Sequence, residues 1–202
     1  MNTKLFTLAL LCVSTAVFAQ GKVAMVNDGT RLIYFSSTMA ADSALAGHPA
    51  PAVLPSGITL MVDLYGGTTP GSMVLQTSTT IGPIPGMFGP VNFVSPNMAG
   101  GVVGFWQIQV REAAFPTEAA SSAAGGYAGH SVIFQGKSGS SLAYNSIISP
   151  LANNFASTWA AGTFDLGGGN FGAIPIGLVP EPSSMALAGL GAASLLLFRR
   201  RK

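Results

Sequence analysis

Two stretches alternate apolar and polar residues with the period of two that a half-buried strand requires. Ile58, Leu60, Val62 and Leu64 share one face of residues 58–65. In residues 102–111, Val102, Trp106, Ile108 and Val110 share one face, against Gln107, Gln109 and Arg111 on the other. Shorter apolar segments at 22–26, 32–35, 73–77, 91–94, 131–134, 163–166 and 174–178 read as further strands. Between them lie turn-forming clusters: Asn27-Asp28-Gly29, the run from Gly66 to Gly71, the Gly and Pro series 82–90, and Lys137-Ser138-Gly139-Ser140-Ser141. Only 117–124 and 149–160 offer short helices. Many short strands with no alternation of strand and helix predict an all-β chain, a single β-sandwich of jelly-roll or immunoglobulin-like kind.

The two ends follow different patterns. Residues 1–19 carry Lys4, an apolar stretch and Val17-Phe18-Ala19, the small-x-small arrangement of a secretory signal helix cleaved between Ala19 and Gln20 by signal peptidase after export by the general secretion machinery. Cys12 lies inside that apolar stretch, behind Leu10 and Leu11 rather than the small residues of a lipoprotein signal, so the mature chain contains no cysteine. At the other end, Pro180-Glu181-Pro182 precedes an apolar run containing Met185, Leu187, Leu190, Leu195, Leu196, Leu197 and Phe198, and Arg199, Arg200, Arg201 and Lys202 close the chain. Each proline lacks an N–H and pushes its predecessor toward extended geometry, which leaves the triplet an accessible handle. The run is short beside the ~20 residues that span a ~30 Å hydrocarbon core, so as a transmembrane helix it recruits residues 182–184 or thins the bilayer locally. The basic cluster stays on the cytoplasmic side and leaves everything before it outside. The expected organisation is a signal peptide at 1–19, a β-sandwich domain at 20–178 and a sorting and anchoring segment at 179–202.

This tail resembles the PEP-CTERM sorting signal of exported proteins in Gram-negative bacteria that make extracellular polysaccharide. The resemblance implies that an exosortase recognises Pro180, Glu181 and Pro182 and removes the helix and basic tail. The protein would rest first in the inner membrane and pass then to the cell surface or extracellular matrix. The middle is also similar to a loosely defined set of such proteins from verrucomicrobia-type bacteria. Gly21-Lys22-Val23-Ala24-Met25-Val26-Asn27 and Val62-Asp63-Leu64-Tyr65-Gly66-Gly67 carry that likeness, which supports the β reading and adds no chemistry.

Composition then narrows the function. Of the nine Lys and Arg, five lie in the two end segments, so the part between carries four cations against six anions. That balance argues against a nucleic-acid partner, which needs clustered Lys and Arg. Plentiful apolar and aromatic residues exclude the composition of a disordered segment.

Catalytic patterns are sparse. Residues 167–172 fit G-x-G-x-x-G, but Ala173-Ile174-Pro175 cannot open the helix that a dinucleotide site requires. Gly136-Lys137-Ser138 lacks the first glycine and the helix of a phosphate loop and reads as a turn. His48 and His130 are the only histidines, and no G-x-S-x-G elbow presents a nucleophile. The carboxylates Asp28, Asp63, Glu112, Glu118 and Asp165 are scattered, where glycoside hydrolysis needs a pair. Asn27-Asp28-Gly29 supplies a turn and falls short of the spaced oxygen ligands of a calcium loop. We therefore expect no enzyme, no metal and no cofactor. Two roles remain. The first is a non-enzymatic structural or adhesive domain in the envelope or matrix. The alternative is a module binding carbohydrate, exopolysaccharide in particular, through surface aromatics drawn from Tyr65, Phe105, Trp106, Tyr127, Tyr144 and Trp159.

Overall fold

The computed structural model describes residues 20–29, 31–36, 44–140, 142–148 and 174–178. The expected signal helix, the second short helix, the strand at 163–166, the glycine run at 167–172, Asp165, Trp159 and the tail from 179 lie outside these residues. Within them the chain is mostly β. The strands are β1 (Gln20–Met25), β2 (Ile33–Phe35), β3 (Leu60–Gly67), β4 (Val74–Thr80), β5 (Val91–Ala99), β6 (Val103–Glu112), β7 (Tyr127–His130), β8 (Phe134–Lys137), β9 (Asn145–Ser146) and β10 (Ile174–Leu178). One short helix, α1 (Glu118–Ala123), follows β6, and the Thr117 side chain caps it by accepting a hydrogen bond from the Ala120 N–H.

Two sheets form. The small one runs β5-β1-β9 and the large one β2-β10-β7-β6-β3-β4, with β8 also pairing β6. Strand β6 is the axis of the large sheet. It pairs antiparallel with β3 along its length on one side, while β7 and β8 share its other side in succession. Strand β10 runs parallel to β2 through Ile174–Ile176 and antiparallel to β7 through Gly177 and Leu178, so it joins the short β2 to the rest of the sheet.

The period of two in β3 and β6 becomes the core. Leu60, Val62 and Leu64 point inward beside Trp106, Ile108 and Val110, and Val23 and Met25 of β1 face them from the small sheet. The Trp106 ring meets Phe93 of β5 edge-on at 6.3 Å, which joins the two layers. Trp106 lies over Gly66, its register partner on β3, and a Cβ on Gly66 would come within 2.5 Å of the indole. Gly66 is there because the tryptophan fills its side-chain space. A second fixed point is buried Asn27, whose amide donates to the Arg31 and Gly86 carbonyls while its oxygen accepts the Phe88 N–H. Its side chain thus ties the turn after β1 to the loop before β5.

Several boundaries differ from the sequence expectation. The strand expected at 131–134 is a break between β7 and β8. The Ser131 N–H donates to the Ile108 carbonyl, and the Ser131 hydroxyl accepts the Ile108 N–H at 3.0 Å, taking the place of a main-chain carbonyl in the ladder. The strand resumes only at Phe134. Gly66 and Gly67, expected in a turn, end β3 and pair with Trp106 and Phe105. Lys137, also expected in a turn, ends β8 opposite Val103. Val102 precedes β6 and is exposed, so Gly104 and Glu112 complete the inward row.

Candidate functional site

The outward face of the large sheet gathers a row of polar side chains from several strands. Register sets four ranks across β4, β3, β6 and the β7–β8 flank. Thr80, Met61, Arg111 and Ala128 form the first, and Ser78, Asp63, Gln109 and His130 the second. Leu75, Tyr65 and Gln107 form the third, then Gly67, Phe105 and Gln135 the fourth. Paired residues on neighbouring strands share a face, so these side chains form one surface.

An ion pair anchors it. Arg111 Nε donates to Asp63 Oδ2 at 2.6 Å, Nη2 reaches Oδ1 at 3.4 Å, and Nη1 donates to the Phe115 carbonyl. Asp63 is only 1% exposed, so its charge is held by that guanidinium. The turn from Ala113 to Thr117 folds over this end and brings Glu118 beside His130, with 3.4 Å between Oε1 and Nδ1. Burial raises the Tyr65 hydroxyl above its ordinary pKa, the Asp63 carboxylate raises it further, the Arg111 guanidinium opposes, and Glu118 adds a smaller rise. Asp63 and Glu118, far apart in sequence, therefore act on one phenol. Next to it, Gln107 donates to the Ser131 carbonyl and Gln109 donates to the Gln107 side-chain oxygen, both at 3.0 Å. Among the described residues, neither the Tyr65 hydroxyl nor the Gln135 side-chain amide has a hydrogen-bond partner.

The aromatic residues expected at the surface divide. Tyr65 and Phe105 stand half-buried on this face. Trp106 and Tyr127 are core residues and are lost to a surface role, Trp106 lying on the apolar face expected of its strand: the indole N–H donates to the Gly136 carbonyl, and Tyr127 packs edge-on against Phe35 at 5.5 Å. Their inward position follows from the strand alternation that buries Ile108 and Val110. Tyr144 is exposed elsewhere, with Lys22 Nζ 5.7 Å from its ring centre.

The remaining candidates are spread apart. Asp28 pairs with Arg31 at 2.6 Å within its turn, and Glu112 accepts the Tyr127 N–H at 2.8 Å beneath α1. His48 is exposed in the loop after β2. Among the described residues no group of three or more His, Cys, Asp or Glu is placed to hold a metal ion. Sequence reasoning did not find the Asp63–Arg111 pair. Its only signal was that both residues fall on the polar phase of their strands.

At the end of the large sheet, β10 stops at Leu178, and a protein-sorting signature begins at that residue. Residues 178–202 are a PEP-CTERM protein-sorting motif. The protein is therefore exported and is a substrate of an exosortase, which processes it after a transient stay in the membrane. The PEP-CTERM motif contains Pro180, Glu181 and Pro182, the apolar run and the basic terminus expected from sequence. Among the described residues no helix is long and apolar enough to cross a membrane, and the apolar run of the motif lies outside them. No curated protein and no solved structure matches the chain.

Proposed function

We propose that residues 20–178 form a non-enzymatic structural or adhesive domain, carried to the cell surface or extracellular matrix by the sorting motif. The observation that carries this reading is continuity: the motif starts at the last residue of β10, so handle and domain are fused with no intervening linker. A strand inside the sheet holds the end of the domain through Ile176, which is fully buried, and through the bond from the Ser36 N–H to its carbonyl at 2.7 Å. Cleavage within or just beyond the Pro-Glu-Pro triplet leaves that strand in place, so the domain would leave the membrane folded. A non-enzymatic role draws support from the carboxylates Asp28, Asp63, Glu112 and Glu118, each of which faces a partner within the fold.

Mass spectrometry of the protein recovered from envelope and medium of a PEP-CTERM host tests the reading. The expected species begins at Gln20 and ends between Pro180 and Ser184, and Glu181→Ala accumulates unprocessed in the membrane fraction. A wild-type protein that still ends at Lys202 in the membrane would overturn it.

A further inference from the structure

The outward face of the large sheet combines features that a merely solvated face does not need. Tyr65 and Phe105 are diagonal neighbours on β3 and β6, so their backbones stand about 7–8 Å apart and both rings lie on the same surface. Gln107, Gln109 and Gln135 stand beside them, and each amide carries two donors and an acceptor, of which Gln107 uses one donor and its oxygen, and Gln109 one donor, within the face. The first two amides are already ordered, because Gln109 holds Gln107 and Gln107 holds the Ser131 carbonyl. Ordering before contact lowers the entropic cost of binding. Among the described residues the Tyr65 hydroxyl and the Gln135 amide are left with unused hydrogen-bonding capacity.

Charge narrows the ligand. The guanidinium of Arg111 is occupied by Asp63 and the Phe115 carbonyl, and His130 faces Glu118. Lys137 stands at the far end of the face, opposite Val103. The centre thus suits an uncharged ligand with an apolar side for the rings and many hydroxyls for the amides. An extended peptide pairs with a strand edge, and a helical one needs an apolar groove. A sheet face floored with amides offers neither.

We propose that this face binds a neutral polysaccharide chain lying across β3, β6 and β8. Tyr65 and Phe105 support the apolar faces of sugar rings, and Gln107, Gln109 and Gln135 bond to hydroxyls. The proposal rests on the reading that the domain is displayed outside the cell, and it gives the adhesive role a ligand class.

The test is affinity electrophoresis of the full-length protein, in a detergent without a sugar head group, through gels containing hydroxyethyl cellulose, dextran or galactomannan. Gels with alginate serve as the anionic counterpart and gels with gelatin as the polypeptide one. At least one neutral polymer should retard the wild type. Gln107→Ala and Gln135→Ala should each weaken that retardation about 2–10-fold, the loss of one hydrogen bond. Tyr65→Ala should abolish it, and Tyr144→Ala should leave it unchanged. The Gln135 side chain is exposed and has no hydrogen-bond partner among the described residues, so its replacement keeps the test valid if Tyr65→Ala fails to fold. The proposal falls if no neutral polymer retards the wild type, or if Gln135→Ala and Gln107→Ala both migrate as wild type does. Retardation by alginate alone, lost in salt and in Lys137→Ala, would replace it with charge binding, and retardation by gelatin alone would replace it with a protein partner. If the site fails while the mature species still runs from Gln20 to the Pro-Glu-Pro region, display survives and only the ligand is wrong.

Discussion

Arg111→Met removes the only cation among the described residues that touches Asp63 and retains most of the side-chain length. Exposed ion pairs contribute roughly 0–1 kcal/mol, whereas removing one partner of a buried pair costs about 3–5 kcal/mol because a charge is left without compensation. Burial decides which figure applies. The Asp63 side chain is 1% exposed and that of Arg111 12%, with 2.6 Å between Nε and Oδ2. The larger figure is expected, and the orphaned Phe115 carbonyl adds to it. For a domain of this size 1 kcal/mol shifts the melting temperature by about 2–4 °C, so Arg111→Met should melt about 6–20 °C below wild type. Asp63→Leu combined with Arg111→Met should recover most of the loss, since a well-packed apolar pair replaces a buried ion pair at little cost. Thermal unfolding followed by circular dichroism measures both variants. A drop below about 1 kcal/mol for Arg111→Met, or no recovery in the double variant, would refute the claim that burial makes this pair structurally essential.

Gly66→Ala tests the contact between β3 and Trp106. Alanine would gain about 0.5–1 kcal/mol of strand entropy over glycine, but a Cβ 2.5 Å from a fully buried indole forces repacking that costs about 1–3 kcal/mol, so net destabilisation is expected in chemical denaturation. The raised Tyr65 hydroxyl predicts a pH effect. Above about pH 10 the unfolded phenol ionises while the folded one stays protonated, so the unfolded state binds fewer protons and stability falls as pH rises through that window. Tyr65→Phe should flatten this part of the curve, and an unchanged alkaline slope would count against the assignment. Ile176→Ala, at a fully buried position on β10, should cost about 2–5 kcal/mol in denaturant unfolding while leaving the Pro-Glu-Pro handle intact.

Strand type and inward phase follow from local pattern alone. The alternation of Leu60, Val62 and Leu64 with Met61, Asp63 and Tyr65 can bury one set only if the other faces out, and the described structure keeps that phase. The helix at α1 is local in the same sense, since Thr117 caps the adjacent turn. The sorting segment was legible because it is read as a short linear sequence: a handle, an apolar run and a basic end, independent of the fold. Other features depend on partners remote in sequence. The break at Ser131 exists because its hydroxyl reaches the Ile108 N–H, and Gly66 and Gly67 are strand residues because Trp106 and Phe105 lie opposite them. The same holds for the outward face, where register brings together Asp63, Arg111, Gln107, Gln135 and His130 from four strands. Periodicity tells each strand which of its faces is buried. Only the pairing of strands decides which residues share the exposed one.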